Sequence, residues 1–306
     1  IFTYIIFYYN SINMNIYDCF MYFDEDMLLD IRLNTLNKYV KKFVIVEANY
    51  THNGDKKELK FDPKKFIKFK DKIIYLVVDK KPKNLKETNL DDLEKKNSAI
   101  LDNAVLRENF QRNYLYNEIR NFHNEDLVIV SDLDEIPNLT NFKYKKKITI
   151  FKQKMIMYKL NLCYPNFLWT GSKLCKKKDL ISPQWLRNIR SKIYEFWRFD
   201  VLFSKKKYSN LEVVNNGGWH FSNIKSAENI NFKMKNFLHH LEYSESGLGA
   251  EKIKKIIKEK KVLYNYKADQ KEDKWNSEVL LEPITLNELP QYITYNLDKY
   301  KDWIDK

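Results

Sequence analysis

The chain has 306 residues, of which 44% are hydrophobic and 15% aromatic, so it can bury a large core and global disorder is excluded. The formal net charge is +13, but only 7 of the 54 basic residues are arginine, which argues against a nucleic-acid reader. Three cysteines, at positions 19, 163 and 175, form neither a metal-binding spacing nor an even disulfide set, as is typical of a reducing compartment.

The two ends of the chain are expected to lie outside its main domain. Residues 1–13 begin with an apolar run too short to span a bilayer, without the basic start and cleavage site of a signal peptide. We expect residues 1–13 to precede the fold, residues 14–290 to form a single domain and residues 291–306 to form a helical tail. No other stretch resembles a membrane span. We therefore expect a cytoplasmic protein without a transmembrane anchor, whose basic surface leaves a peripheral membrane contact open.

The first half of the chain alternates between predicted strands and predicted helices. Short apolar runs predict buried strands, at 16–23, 43–46, 73–78 and 127–130. Apolar residues at helical spacing predict a helix that starts near Asp24 and a long helix over 98–122. This alternation favours an α/β protein with a mostly parallel sheet flanked by helices.

The pattern changes after Pro137. Alternating apolar and polar residues, beginning at 148–162, predict longer antiparallel strands. An amphipathic helix is predicted over 227–241, and a lysine-rich helix over 251–261. The C-terminal portion is therefore expected to be antiparallel in its sheet.

Three carboxylates follow the fourth predicted strand directly: Asp132, Asp134 and Glu135. In extended chain Asp132 and Asp134 point the same way, and ligands bind at the carboxyl ends of parallel strands. A divalent cation such as Mn²⁺ or Mg²⁺ would relieve the repulsion between two carboxylates and leave positions for substrate phosphates. The motif predicts a metal–diphosphate site, and the alternative is an acidic turn that only closes the strand.

Polar residues after the second strand and on the long helix are candidates for binding a nucleotide. Glu47 and Asn49 could accept a base or a ribose hydroxyl, although Asn49 also suits an ordinary turn. Three-and-four spacing places a polar set on one side of the helix: Arg107, Glu108, Gln111 and Arg112. This set could hold a nucleotide, or it could be an internal ion-pair lattice that fixes the helix to the sheet.

Two further groups lie late in the chain. Gly217 and Gly218 allow close backbone approach, Trp219 offers a stacking face, and His220 is either a metal ligand or a structural histidine. Glu242 lies near a predicted helix end, where capping is its plain role. The sequence contains no Gly-x-Gly-x-x-Gly, P-loop, nucleophile elbow or His-Glu-x-x-His motif.

Taken in order, these segments resemble glycosyltransferase family 17. The matching segments are 16–23, 29–33, 43–49 with Thr51 and Gly54, 107–113, 131–137, 218–222 and 240–243. The resemblance implies a GT-A fold with a Rossmann-like sheet, a UDP-sugar donor such as UDP-N-acetylglucosamine, Mn²⁺ or Mg²⁺ as cofactor, and inversion at the anomeric carbon. The resemblance is weak over residues 143–214, the region in which acceptor recognition would lie.

The resemblance also implies roles for individual residues. Asp134 would hold the metal, with Asp132 bound directly or through water and His220 completing the site. Inversion in one displacement needs a carboxylate that takes the acceptor proton. Glu242 is the first candidate for this base, and the other candidates are Glu135, Glu195 and Asp200.

The expected partners are a nucleotide-sugar donor and a glycan acceptor, with no nucleic acid. The acceptor could be a cell-surface polysaccharide, a lipid-linked glycan or a viral glycoprotein. Two other functions compete with this interpretation. One is a nucleotidyltransferase-like enzyme on a similar sheet, and the other is a non-catalytic protein that binds carbohydrate or nucleic acid through its basic charge and aromatic residues.

Overall fold

The computed structural model describes most of the chain, namely residues 14–195, 197–236, 240–267, 274–275 and 277–305. The segment 1–13, which was expected to precede the fold, lies outside the described residues. The strands are β1 Ile16–Met21, β2 Lys42–Ala48, β3 Ile73–Val78, β4 Leu127–Asp132, β5 Glu135–Pro137, β6 Ile148–Phe151, β7 Gln153–Met157, β8 Leu162–Trp169, β9 Lys173–Lys176, β10 Leu211–Val214, β11 Gly218–Ser222 and β12 Glu282–Pro283. The helices are α1 Asp26–Leu36, α2 Leu93–Tyr114, α3 Tyr116–Ile119, α4 Pro183–Asn188, α5 Phe199–Leu202, α6 Ala227–Asn236, α7 His240–Glu245, α8 Ala250–Lys258, α9 Gln291–Thr294 and α10 Leu297–Tyr300. Short 3₁₀ turns lie at Ile67–Phe69, Lys177–Asp179, Leu286–Glu288 and Lys301–Trp303.

The larger sheet, as far as the chain is described, has seven strands in the order β10-β6-β9-β4-β1-β2-β3. The four strands predicted from apolar runs, β4, β1, β2 and β3, lie side by side and parallel. β9 runs antiparallel between β4 and β6, and β10 pairs in parallel with β6. The prediction of an α/β protein with a mostly parallel sheet flanked by helices is confirmed.

Both faces of this sheet are buried because its central strands are apolar at most positions. Phe20, Ile45 and Ile129 point to one face, where they share a hydrophobic cluster with the apolar side of α1. Their chain neighbours point to the other face, where Val44 and Val128 cluster with the end of α2. The continuous apolar runs therefore follow from burial on both sides.

In the described part of the chain the second sheet has five strands, in the order β12-β8-β7-β11-β5. β8 is antiparallel to both β7 and β12, and β11 is antiparallel to β5. However, β7 pairs in parallel with β11, as β6 does with β10. The expectation of an antiparallel C-terminal portion is wrong for these two pairs. Apolar alternation reports which side of a strand is buried and not the direction of its partner.

Several predicted element boundaries need correction. β4 continues to Asp132, and Pro137 belongs to the edge strand β5, where its missing N–H is tolerated. α2 begins at Leu93, five residues earlier than predicted, because the Asp92 carboxylate caps it by accepting from the N–H of Lys95 at 3.1 Å. The helix predicted over 227–241 ends as α6 at Asn236, and residues 237–239 lie outside the described residues.

The residues predicted as a helical tail contain α9 and α10, which pack against α1. Asp30 of α1 accepts hydrogen bonds from the Tyr292 and Tyr300 hydroxyls at 3.1 and 2.8 Å and pairs with Lys299 at 2.5 Å. Among the described helices, none combines the length and hydropathy that crossing a bilayer requires.

Candidate active site

A cavity of about 370 Å³ lies at the carboxyl ends of β1, β2 and β4. Its wall includes Met21 from the end of β1, Ala48 from the end of β2 and Asp132 from the end of β4. Residues of α2, α6 and the second sheet close its other sides. Ligand binding was predicted at this edge because the carboxyl ends of parallel strands meet there.

The turn that carries the acidic residues rests on a buried ion pair. Arg32 of α1 and Asp18 of β1 are both fully buried, with Nη2 and Oδ1 2.6 Å apart. The Arg32 guanidinium also donates to the carbonyl oxygens of Asp132, Leu133 and Glu135, at 3.1, 3.0 and 2.7 Å. Buried charge is tolerated when it is paired and hydrogen-bonded, so Arg32 holds this turn in one conformation.

Asp132 lies between two arginines. Its Oδ1 accepts from Arg112 Nη2 at 3.0 Å, and its Oδ2 accepts from Arg187 Nη2 at 2.9 Å. Burial raises the pKa of this carboxyl, but Arg187 and Arg112 outweigh burial and hold the pKa well below its ordinary value. Asp132 is therefore ionised, and both of its oxygens contact cationic side chains.

Asp134 lines the same cavity together with His220 of β11 and Lys233 of α6. Asp134 Oδ2 lies 3.6 Å from His220 Nε2 and 3.9 Å from Lys233 Nζ. Burial raises the pKa of Asp134, but His220 and Lys233 lower it below the ordinary value. On Lys233 burial acts in the opposite direction and lowers the pKa, but Asp134 and Glu25 outweigh burial and raise that pKa overall. The carboxylate and the ammonium therefore both stay charged inside the protein.

The two carboxylates and His220 are the candidate metal ligands that the fold brings together. Within the residues that the structure describes, no group of three or more His, Cys, Asp or Glu side chains is arranged to hold a metal ion. Because Asp132 is engaged by two arginines, Asp134 and His220 are the predicted metal ligands that have no arginine contact among the described residues.

Glu135 is 1% exposed and acts as an acceptor for three groups. Its carboxylate accepts from the backbone N–H of Asp132 at 2.9 Å, from Trp169 Nε1 at 2.6 Å and from Arg187 Nη1 at 2.6 Å. These contacts fix Arg187 and Trp169 at the edge of the cavity. Glu135, which was a candidate base, thus occupies a positioning role in this arrangement.

The predicted polar side of α2 reaches the cavity in part. Gln111 and Glu108 line it, and Gln111 Oε1 lies 3.3 Å from His52 Nε2. Burial lowers the pKa of His52, which favours its neutral form. Glu108 Oε1 accepts from Arg112 Nη2 at 2.7 Å, so Arg112 acts on the cavity through Asp132. The ion-pair interpretation of this helix agrees with the Glu108–Arg112–Asp132 contacts, whereas nucleotide binding by this polar set stays a prediction.

Glu47 and Asn49, predicted to contact the donor, organise the loop after β2 and are not among the described residues that line the cavity. Glu47 is fully buried and accepts from the N–H groups of Lys60 and Phe61 at 2.8 and 3.1 Å and from the Tyr75 hydroxyl at 2.8 Å. The backbone N–H of Asn49 donates to β3 at 3.1 Å. Both residues therefore support the segments next to the cavity without lining it.

Three other candidates also lie off the described cavity wall. Arg107 donates to the His52 carbonyl at 3.0 Å, and Trp219 Nε1 donates to the Glu288 carbonyl at 2.6 Å. Glu242 lies on α7 and lines a separate groove.

The remaining candidates for the base, Glu195 and Asp200, are exposed and do not line the described cavity. Asp200 instead pairs with Arg198 at 2.9 Å and with Lys207 at 2.5 Å. These two acids therefore lie apart from the site as the structure shows it.

Sequence reasoning missed several residues that line the cavity: Glu25, His52, Trp169, Arg187, Lys233, Tyr264, Tyr266 and Trp275. Arg187 has the largest role, since it contacts both Asp132 and Glu135. It lies on α4, which begins with an N-cap Ser182 followed by Pro183. The cap could have predicted where this helix begins, but nothing in the sequence indicated that the helix faces β4.

A comparison with known protein families identifies the family of this chain. The sequence profile described as Glycosyltransferase family 17 matches residues 7–303, which is nearly the whole chain. The chain belongs to glycosyltransferase family 17. No curated protein matches it in a sequence search. As a member of this family, the protein is a glycosyltransferase that acts on a sugar donor and an acceptor, so the cavity at the strand ends is its candidate active site.

Proposed function

We propose that this family 17 enzyme transfers a sugar, with N-acetylglucosamine as the first candidate, from a UDP-sugar to a glycan hydroxyl. The reaction uses a divalent cation and inverts the anomeric carbon. The observation that carries this proposal is the convergence of Asp134, His220 and two partly buried cations, Arg187 and Lys233, at the carboxyl edge of a parallel sheet.

The charge of the cavity would suit a nucleotide diphosphate once a divalent cation is bound. Among the described residues that line it, the cationic side chains of Lys57, Arg187 and Lys233 can interact with phosphate oxygens. The same lining carries more carboxylates than these cations, namely Glu25, Glu108, Asp132, Asp134 and Glu135, and a bound cation would offset that excess. Near the ends of β1 and β2, Met21 and Tyr50 provide apolar and aromatic contact area for a nucleobase. The diphosphate would thus lie between the base-binding end and Asp134.

The residues present fit Mn²⁺ or Mg²⁺ as the cation. The facing atoms of Asp134 and His220 are 3.6 Å apart, short enough for both to reach one ion at roughly 2.1 Å. Such ions are commonly held by one or two protein ligands together with substrate phosphates. When bound, the ion supplies positive charge that stabilises the leaving diphosphate. Arg187 and Lys233 add fixed positive charge beside it.

Inversion in a single displacement requires a carboxylate that accepts the proton of the acceptor hydroxyl. Glu25 lines the cavity, with Oε1 3.5 Å from Lys225 Nζ and 3.9 Å from Lys233 Nζ. Burial raises the pKa of Glu25, but these two lysines lower it overall, so the group is ionised and able to accept a proton. We assign the base to Glu25 ahead of Glu242, which lies outside this cavity.

The test is nucleoside-diphosphate release from a panel of nucleotide sugars, with Mn²⁺ and with a chelator. We expect metal-dependent release of UDP, and we expect Asp134→Asn to reduce it roughly 100-fold or more while the circular dichroism spectrum stays unchanged. Asp200→Asn is the matched control, since Asp200 is exposed and lies outside the described cavity wall. Full activity in Asp134→Asn would overturn the metal site, and release of pyrophosphate would indicate nucleotidyl transfer.

A further inference from the structure

We propose that four aromatic residues on one wall of the cavity bind the acceptor sugar, and that the adjoining groove binds the next sugar units of an oligosaccharide. This aromatic wall consists of Trp169, Tyr264, Tyr266 and Trp275. The inference rests on the proposed glycosyl transfer and names the acceptor class: a pyranose at the end of an oligosaccharide. The family assignment does not say which residues of this chain contact the acceptor.

The aromatic wall is continuous. The rings of Trp169 and Tyr266 are 5.8 Å apart between centroids, those of Tyr266 and Tyr264 are 4.9 Å apart, and those of Tyr264 and Trp275 are 5.0 Å apart. All three pairs are edge-to-face, and all four residues are only partly buried. Core aromatic residues would be covered on every side, whereas these present surface to the cavity.

The wall is held in position from behind. Trp169 donates its indole N–H to Glu135 at 2.6 Å, and the buried Tyr243 packs edge-on against Trp275 at 5.6 Å. Rings fixed in this way lose little conformational freedom when a ligand binds, which favours affinity. The wall is therefore preorganised.

The chemistry of an aromatic wall suits a pyranose. One face of a pyranose ring carries C–H groups that pack flat on aromatic rings, while its hydroxyl groups at the rim need polar partners. The cavity lining also includes such partners, among them Glu25 and Asn236. A purely apolar ligand would leave these groups unpaired, which is costly.

The wall ends beside the reacting groups. The Trp169 ring lies 5.1 Å from the ring of His220, which itself faces Asp134. A sugar on this wall would place a hydroxyl group close to the donor sugar at the metal end of the cavity. This position is that of an acceptor, since the nucleobase end lies at β1 and β2.

A second groove, of about 970 Å³, continues the wall outward. Trp275 lines both the cavity and the groove, so the two spaces share one side chain. The groove is lined largely by charged and hydroxyl residues, including Glu242, Lys252 and Ser246. A polar groove of this size suits further sugar units and not a lipid chain. Glu242, first considered as the base, would contact the acceptor there.

The experiment uses saturation-transfer NMR on the full chain with UDP and Mn²⁺ present. The probes are chitobiose, cellobiose, lactose and α-1,6-mannobiose, with the methyl glycosides of their monosaccharides. We expect saturation on the C–H protons of one pyranose face for at least one disaccharide. Trp275→Leu should weaken that binding about tenfold, whereas Trp275→Phe should retain most of it. Trp197→Leu, an exposed tryptophan outside the cavity wall, should leave the binding unchanged.

The outcomes separate this inference from the proposed function. If Trp275→Leu binds the disaccharide as the unchanged chain does, or if no probe receives saturation, the acceptor assignment is overturned while UDP release still tests the donor site. If Trp275→Leu instead abolishes the UDP-induced rise in melting temperature, the wall binds the nucleotide and the inference is wrong. Loss of disaccharide binding with unchanged UDP stabilisation supports it.

Discussion

Glu25 and Glu242 occupy different environments, and this difference is the reason why we propose Glu25 as the base. Glu25 is held beside Lys225 and Lys233 on the wall of the cavity that contains Asp134. Glu242 lies on α7 and lines the outer groove. A base must be within hydrogen-bond reach of the proton it takes, so position comes before acidity in this choice.

We therefore expect Glu25→Gln and Glu242→Gln to affect different kinetic constants. Glu25→Gln should lower kcat for transfer roughly 100-fold, because the general base is lost, while UDP with Mn²⁺ still raises the melting temperature. Glu242→Gln should raise the KM for the acceptor and leave kcat largely intact. Steady-state kinetics with one acceptor disaccharide measure both. The reverse pattern, with turnover lost only in Glu242→Gln, would return the base to α7.

At the scale of single elements, the connection between β8 and β9 holds the active-site arginine in place. A Cβ atom at Gly171 would lie 1.8 Å from Glu135 Oε1, and the Gly171 carbonyl accepts a hydrogen bond from Arg187. This close approach is possible only without a side chain. The glycine thus lets the β8–β9 connection pack directly on the Glu135–Arg187 pair.

Gly171→Ala should therefore impair both stability and activity. The added methyl group must displace the Glu135 carboxylate, which we expect to cost about 1–3 kcal/mol in the free energy of unfolding and to release Arg187 from Asp132. Gly249→Ala is the matched control, because a Cβ atom at Gly249 would have no neighbour within 4 Å, and it should leave UDP release unchanged and cost less than about 1 kcal/mol, the effect of alanine at the N-cap of α8. Urea unfolding and UDP release measure the two effects. Equal behaviour of the two variants would contradict this account.

The elements differ in how far the sequence alone could predict them. β1 to β4 were predictable because a strand buried on both faces is a short, continuous apolar run. The location of the acidic residues at the end of β4, in the wall of a cavity, was predictable for the same reason, since the strand end fixes it. The hydrogen-bond partners of Asp132 were not predictable, because Arg112 and Arg187 are 20 and 55 residues away in the sequence. Only the packing of α2 and α4 brings these two arginines to Asp132.

The second sheet contains site residues that the sequence alone could not identify. His220 was recognised as a candidate ligand, but Trp169, which ends β8 and whose ring lies beside that of His220, was not recognised as part of the site. Tyr264, Tyr266 and Trp275 lie in a region without clear hydrophobic periodicity, so the aromatic wall that they help to form could not be predicted. Periodicity predicts local structure, whereas an aromatic wall depends on which distant segments meet.

At the scale of the whole molecule, the C-terminal segment is connected to the active site through α1. The Asp30 carboxylate accepts hydrogen bonds from the Tyr292 and Tyr300 hydroxyls. Two residues further along the same helix, Arg32 donates a hydrogen bond to the carbonyl oxygen of Asp132 in the acidic turn. Trp303 contributes its carbonyl to the N–H of Leu160 at 2.7 Å, which ties the segment to the second sheet as well. The last residues thus brace the helix that positions the acidic turn.

A chain that ends at Pro290 should consequently be less stable and less active than the full chain. It loses the burial of Ile293 and Tyr300, which are 0% and 1% exposed, and each such side chain contributes about 1.5–3 kcal/mol. Urea unfolding should show a lower midpoint, and UDP release should fall because α1 and Arg32 lose their support. Tyr300→Phe should show a smaller loss of about 1 kcal/mol, whereas Tyr295→Phe, at a residue 76% exposed, should show almost none. If the shortened chain instead matched the full chain in midpoint and turnover, residues 291–306 would be an independent tail.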